Sequence, residues 1–466
     1  MKPVTRIVAL LIAFMALQPG ARAGMLEDHP GYWLGDVTLP DGQLRKMGAE
    51  IFVRADGSTW ASVAWPEQDV VNIPVKSIKP EPDGVLLLDL GAAQLTLAWR
   101  TDHFEGVWIQ GQALPPAQMR QVASYPRRPR PQTPHAPFPY RNETVAIRSK
   151  DGVTLGATLS IPAAPTRPPV VVLVAGSGPQ SRHVDNAGHQ LFDVLADHLA
   201  RQGVAVLRYD KRGIARSTGD YYGHTQPDLA DDAYAAVQAL AARKQFGAIG
   251  LVGHSEGSQV AAAVAARHPV DVRFVVSLAG VGLSGLELML LQDRQYAIDN
   301  GASATDLLRI MPYVRAYYET VLATADGEPR IAALQAVLAA RTPDDQALLK
   351  QYKINVGTLD PAMAAQPFLP VLLKSDPRKD WWRVRGPVLV LNGVLDHQVP
   401  AAENVAGIAE ALAAGGNRAV VTALLPSLNH SFQTAQTGKE DEYARIDETM
   451  APVAMQKVAD FARKRR

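Results

Sequence analysis

The spacing of apolar positions changes character along the chain, and each change predicts a different architecture. From Gly31 to about Val122, apolar and polar residues alternate in short runs. Ala49–Arg54, Ser58–Trp65, Val85–Leu90, Gln94–Arg100 and Phe104–Gln110 read as strands, since successive strand side chains point to opposite faces. Asp56-Gly57, Asp83-Gly84 and Asp102-His103 supply turns between them. Strands spaced this closely predict a small all-β barrel or sandwich. Prolines 126, 129, 131, 134, 137 and 139 then fall among Arg127, Arg128 and Arg130, a density that favours an extended, solvated spacer. The expected boundaries are therefore 24–125 for the β domain and 126–141 for the linker.

Beyond the linker the period lengthens. Asn142–Arg148 and Thr154–Ile161 flank the hairpin signal Asp151-Gly152, and Val170–Val174 is an unbroken apolar run of the kind buried on both faces of a parallel sheet. Helical stretches then alternate with strands: Gln190–Gln202 with Ala205–Arg208, Asp228–Ala242 with Gly250–Val252, and Gln259–Arg267 with Arg273–Ser277. That alternation predicts an α/β fold, a doubly wound sheet occupying 142–466. Roughly a hundred residues after Gly280 read only as helix (Leu286–Ala297, Ala304–Thr324, Arg330–Ala340) before strands resume at Pro387–Leu391 and Ala419–Leu424. An all-helical insertion between core strands, at about 284–380, predicts a lid over the sheet's carboxyl edge.

Composition changes this picture little but excludes much. At 466 residues the chain has room for two or three domains. A hydrophobic content of 47%, a charged content of 20% and a formal charge of +1 give no electrostatic reason to expect nucleic acid or an anionic membrane as partner. The absence of cysteine excludes disulfides, a thiol nucleophile and Cys-based metal sites. Lys2 and Arg6 precede the apolar run Ile7–Leu17, and Ala21-Arg22-Ala23 forms an A-x-A cleavage pattern before Gly24. Residues 1–23 thus read as a secretory signal peptide, and export to periplasm or medium is expected. The competing reading, an uncleaved anchor, needs about 20 apolar residues and the run is shorter. Five tryptophans (Trp33, Trp60, Trp65, Trp99, Trp108) lie in the β region. They either fill its core, the commoner use, or form a stacking face for a ligand such as a sugar.

The candidate chemistry is concentrated in Gly253-His254-Ser255-Glu256-Gly257, a G-x-S-x-G between a strand and a helix. A serine that attacks a carbonyl must sit on a turn tight enough to lift its hydroxyl clear of the backbone, and strand and helix then crowd each other at the two glycines. The serine needs a base, and the base an orienting acid, in the order Ser, acid, His. Asp396 follows the strand Pro387–Leu391 and His430 follows Ala419–Leu424, with room between them for one helix (Ala402–Ala414) and one strand. Asp376 and Asp380 are rival acids, but they sit in the lid-to-core connection rather than after a strand. His183, His189 and His224 precede the serine and would break the order; His397 adjoins the acid, and His254 lies within the turn with its ring directed away from the hydroxyl. The oxyanion needs two donors. Glu256 N–H, after the nucleophile, is one; Ser177 N–H, in the turn Ala175-Gly176-Ser177-Gly178-Pro179 after the strand Val170–Val174, is the other. That turn lacks the lysine and spacing of a phosphate loop. No metal motif and no nucleotide fingerprint is present, so no cofactor is expected.

With these residues in place, the chain from about Asn142 to Arg466 resembles the α/β-hydrolase superfamily, and more narrowly bacterial esterases of the serine aminopeptidase-like or dipeptidyl-aminopeptidase/acylaminoacyl-peptidase-related kind. The elbow carries the resemblance together with Gly176-Ser177-Gly178-Pro179-Gln180, Arg208-Tyr209-Asp210-Lys211-Arg212-Gly213, Ser217-Thr218-Gly219, Leu391-Asn392-Gly393 with Asp396, and Asn429-His430. Ser258 stands where the family often has glycine. The resemblance implies the fold, the triad Ser255, Asp396 and His430, and a small-molecule ester substrate; relatives hydrolyse short acyl esters, aryl esters and sometimes peptides. An exopeptidase is the alternative, for which a lid carboxylate such as Glu287, Asp293 or Glu319 would have to meet a substrate amine. A third reading makes the chain mainly a ligand-binding protein with residual hydrolysis. The segment Arg208–Gly213 is expected to be structural.

Overall fold

A computed structural model describes residues 26–465 apart from 40, 55, 82–83 and 355–367; the expected signal peptide lies outside the described residues. The chain divides into two compact units, Met1–Ile161 with Ser177–Asp197 and Leu207–Ala236 in one, and Pro162–Gly176 with His198–Val206 and Val237–Arg466 in the other.

The first unit opens with ten strands: β1 (Gly31–Thr38), β2 (Leu44–Val53), β3 (Thr59–Trp65), β4 (Val70–Pro74), β5 (Ser77–Glu81), β6 (Val85–Asp89), β7 (Gln94–Trp99), β8 (Phe104–Gln110), β9 (Gln112–Ala113) and β10 (Ala117–Val122). They form one sheet in the order β4-β3-β2-β1-β10-β8-β7-β6-β5, with β9 hairpinned onto β8. Trp33, Met47, Ile51, Val63, Leu95, Leu97, Phe104 and Trp108, drawn from both halves of that order, share one buried core, so the sheet curls onto itself. The proline-rich stretch 126–139 carries no helix or strand and most of its residues are exposed, but two of its arginines find partners. Arg130 is 5% exposed and donates to Ala187 O at 3.0 Å, and Arg127 pairs with Asp185 at 2.5 Å.

The second sheet comprises β11 (Tyr140–Arg148), β12 (Thr154–Pro162), β13 (Val170–Val174), β16 (Ala205–Tyr209), β17 (Ile249–His254), β18 (Phe274–Leu278), β19 (Val388–Gly393) and β20 (Val420–Leu425), in the order β11-β12-β16-β13-β17-β18-β19-β20. A two-stranded hairpin, β14 (Asp185–Asn186) with β15 (His189–Gln190), precedes the first helix. Every residue of β13, β17, β18 and β19 is buried, which is why these segments read as unbroken apolar runs. The neighbouring pairs from β13 through β20 are parallel, with Val174 opposite Gly253 and His254 opposite Leu278. The linking helices are α1 (Leu191–Arg201), α2 (Gln226–Ala242) and α3 (Glu256–Arg267).

Helices α4 (Gly285–Asp299), α5 (Ala304–Ala323), α6 (Glu328–Ala339), α7 (Pro343–Gln351), α8 (Phe368–Lys374) and α9 (Arg378–Trp381) follow β18 as the expected insertion. Ser284 and Ser303 close capping boxes on α4 and α5, which satisfy the free N–H groups at the helix starts. Ile310, Val314, Tyr317, Val321, Leu334 and Leu349 bury one another, giving the insertion a core of its own. The chain ends in α10 (Ala401–Ala414), α11 (Glu440–Tyr443) and α12 (Pro452–Arg463) around β20. Among the described residues no helix is long and apolar enough to cross a membrane.

Candidate active site

Backbone crowding defines the turn at Ser255. The serine has φ 55 and ψ −125, a left-handed conformation that non-glycine residues adopt only where the surroundings enforce it. Those surroundings are visible at its two flanking glycines. A Cβ on Gly253 would meet Gly257 O at 2.2 Å, and one on Gly257 would meet Val174 O at 2.1 Å. Both contacts are with backbone, so neither position admits a side chain without moving a strand or helix. Ser255 N–H donates to Leu278 O at 2.8 Å, which ties the turn to the next strand. Ser258, the departure from glycine, is fully buried, and its Oγ accepts from Val281 N at 3.2 Å.

Asp396 and His430 meet. Asp396 follows β19 and is 3% exposed; its Oδ2 lies 2.8 Å from His430 Nδ1, while Oδ1 accepts from Gln398 N at 2.9 Å and Val399 N at 2.8 Å. Three hydrogen bonds thus hold the carboxylate in one orientation and fix which imidazole nitrogen faces it. Asn429 braces the base loop: its Oδ1 accepts from Ser431 N and Gln433 N, and its Nδ2 donates to Gln433 Oε1 at 2.9 Å. Asn392, fully buried, braces the acid loop by donating to Val399 O at 3.0 Å.

His254 is packed rather than catalytic in position. Its ring stands 4.8 Å from that of His430, and its Nε2 lies 2.9 Å from the His430 carbonyl oxygen. Burial, reinforced by the neighbouring imidazole, pushes its pKa down to about 3, so it is a neutral wedge behind the base. His397, beside the acid, turns the other way and pairs with Asp299 at the end of α4 at 2.9 Å. The rivals for the acid are occupied or removed: Asp376 forms a two-point pair with Arg378 at 2.7 and 2.9 Å, and Asp380 lies in α9. His183 pairs with Asp193, and His224 bonds to the Tyr221 carbonyl.

Of the two proposed oxyanion donors, Glu256 is the first residue of α3, where backbone N–H groups point out of the helix start. Ser177 follows Gly176, and a Cβ on Gly176 would stand 3.0 Å from Ser255 Cβ and 3.2 Å from His254 O. Glycine at 176 therefore lets that turn approach the serine. In the Arg208–Gly213 segment, Arg208 pairs with Asp193, Asp210 with Arg182 at 2.6 Å, and Arg212 with Asp232 at 2.8 Å.

The first lid helix is fastened to the loop that carries Asp396 and to the start of α11, a feature with no sequence signal. Gln292 donates to Gln398 O at 2.6 Å, Tyr296 to Glu440 Oε1 at 3.0 Å, and Lys439 Nζ to Asp299 O at 2.6 Å. None of the three acids considered for binding a substrate amine stands free. Glu287 caps α4 and pairs with Arg378 at 3.0 Å, and exposed Glu319 pairs with Arg315 at 3.6 Å. Asp293, 1% exposed, accepts from Tyr318 O–H at 2.6 Å, and burial raises its pKa to about 6. The lid also carries an apolar groove of about 880 Å³, lined by residues that include Leu290, Leu291, Leu307, Leu308 and Met311 but none of Ser255, Asp396 or His430.

A family described as Hydrolase_4: Serine aminopeptidase, S33, matches residues 170–432, more than half of the chain and the whole span from β13 to the base. The chain belongs to this family. Its fold is accordingly that of an α/β hydrolase, with a helical lid and a preceding all-β domain. Esterase EstD of Thermotoga maritima is 32% identical over 103 residues, 22% of this chain and 25% of that protein, so the chain matches about a quarter of that relative's length. Among solved structures, a bacterial brefeldin A esterase is 16% identical, covering 70% of this chain and 78% of its own, with a TM-score of 0.43. The proline iminopeptidase of Mycobacterium smegmatis is 15% identical, covering 69% and 98%, with a TM-score of 0.41.

Proposed function

We propose that this family member is an exported serine hydrolase that cleaves short acyl or aryl carboxylic esters through an acyl-enzyme. The observation that carries the reading is the combination of a serine held at φ 55 by two obligatory glycines with a buried, triply bonded Asp396 on His430. In the proposed sequence, His430 Nε2 removes the Ser255 proton as Oγ attacks the ester carbonyl carbon. The tetrahedral oxyanion is held by the N–H groups of Ser177 and Glu256. His430 then protonates the leaving alkoxide, and the acyl group stays on Oγ. Water, deprotonated by the same imidazole, releases the carboxylic acid and restores the serine. The Asp396 carboxylate orients and stabilises the imidazolium in each half-reaction.

The local identity to an esterase and the engagement of all three lid acids favour esters over aminopeptidase substrates. Assay of Ser255→Ala against p-nitrophenyl acetate tests the mechanism, and a drop of roughly four orders of magnitude or more is expected. Turnover well above the uncatalysed rate in that variant contradicts it. Alanine and proline p-nitroanilides test the substrate class, with esters expected to be the better substrates. Export by residues 1–23 is part of the proposal, and fractionation of cells expressing the full chain should recover it outside the cytoplasm.

A further inference from the structure

The tryptophans of the β domain serve two purposes. Trp33 and Trp108 belong to the buried core of the sheet, with Trp65 and Trp99 packed against it, while Trp60 is buried in a stack on Phe52. Trp65 and Trp108 meet edge to face at 5.3 Å and 88° and open on a separate recess of about 320 Å³. Besides the two indoles, it is lined by Gln68, Gln110, Gln112, Leu39 and Leu114.

The backbone gathers these groups. Gln110 and Gln112 are direct partners across the tip of the β8–β9 hairpin, where Gly111 at φ 73 makes the turn, so both amides stand on one face. Trp108 lies two residues before Gln110 on β8 and shares that face. Trp65 ends β3 beyond a slip in register after Val63, and Gln68 closes the short 3-10 turn Pro66–Gln68 that follows. Two chain turns thus deliver two indoles and three amides to one place.

Their chemistry selects a ligand class. About a fifth of the chain's residues are charged, yet none lines this recess, so an ion entering it would meet no counter-charge. Neither indole N–H and none of the three amides has a hydrogen-bond partner among the described residues. A purely apolar occupant would leave all five polar groups unsatisfied. What fits is a molecule that offers a flat C–H face to an indole and uncharged hydroxyls to amide donors and acceptors. We propose that this recess binds a neutral saccharide, about one or two pyranose rings in size, and that the β domain is a carbohydrate-binding module attached to the hydrolase. The volume lies at the lower end of the range of small-ligand sites, roughly 300–1,000 Å³.

Tryptophan fluorescence and titration calorimetry of the full chain with cellotriose, maltotriose, mannotriose and chitotriose test the proposal, with glucuronate as the charged control. At least one neutral trisaccharide should bind saturably, and glucuronate should not. Gln110→Ala and Gln112→Ala, substitutions of exposed side chains that leave the core intact, should each weaken binding by about tenfold. Trp65→Ala should abolish it while p-nitrophenyl acetate turnover stays at the parent level, with an unchanged far-ultraviolet circular dichroism spectrum reporting that the β domain is folded. Absence of saturable binding to all four sugars up to millimolar concentration overturns the proposal. So does equal binding of glucuronate, or binding unaffected by both glutamine substitutions.

Discussion

The carboxyl edge of the parallel sheet and the helical lid lie in the same compact unit but are specified in different ways. At the sheet edge, geometry is imposed by backbone against backbone: Gly253 on Gly257, Gly257 on Val174, and a carboxylate held by two loop N–H groups and one imidazole. In the lid, geometry comes from side chains filling a separate core, with caps at the helix starts and an apolar groove left open between α4 and α5. Backbone crowding tolerates almost no substitution, whereas a side-chain core accepts many sequences of similar volume. At the edge backbone contacts dictate the residue types, whereas in the lid residues need only fill a volume, and that difference separates a region closed to change from one open to it.

That contrast is sharpest where a single change should have the largest effect. Asp396→Asn keeps the shape of the acid but loses the charge that holds and stabilises the imidazole, and kcat for p-nitrophenyl acetate should fall by roughly two to four orders of magnitude with little change in KM. A fall of less than tenfold would place the orienting acid elsewhere. Gly257→Ala drives a Cβ into the Val174 carbonyl and should cost about 3 kcal/mol or more of stability in urea unfolding, or prevent folding. A variant of parent stability would show that the edge is softer than its contacts indicate.

The lid predicts smaller effects of another kind. Burial raises the folded-state pKa of Asp293 to about 6, above its unfolded value of about 3.9. The native chain therefore holds more protons than the unfolded chain between about pH 4 and 6, and this group's contribution makes stability fall as pH rises through that window. Asp293→Asn keeps an acceptor for Tyr318 O–H and removes the charge. It should flatten that slope and stabilise the protein at pH 7 by up to about 3 kcal/mol, with ester turnover unchanged. A stability-pH curve parallel to that of the parent would refute the assignment. The smallest effect belongs to Glu319→Gln at the exposed α5 pair, expected to shift stability by less than about 0.5 kcal/mol and to leave aminoacyl anilide hydrolysis unaltered. Selective loss of anilide hydrolysis would revive the exopeptidase reading.

The same contrast explains what could be read from the chain alone. Gly253 and Gly257 were legible because backbone crowding leaves room for no side chain, and Asp396 and His430 because each follows a strand in the order Ser, acid, His. The central strands were legible because burial on both faces leaves an unbroken apolar run. By contrast β1, with two glycines in Gly31–Thr38, is a strand because β2 and β10 flank it, and no local pattern says so. Helix α7 is mostly polar, buries Asp345 and Leu349, and is fixed by Thr342 as its cap. The bonds from Gln292, Tyr296 and Lys439 join residues more than a hundred positions apart, which no short-range pattern records. Arg127 and Arg130 show the same limit: composition marks proline-rich chain as extended, but it carries no information about Asp185 and Ala187, where these arginines find their partners.

The central claim is that Ser255 is the nucleophile of the sheet edge. Reaction of the native full chain with a fluorophosphonate, followed by peptide mass mapping, tests it most directly. One adduct is expected, on the Ser255 hydroxyl, absent in Ser255→Ala and in protein boiled before reaction. An adduct on any other residue, or equal labelling of Ser255→Ala, would contradict it.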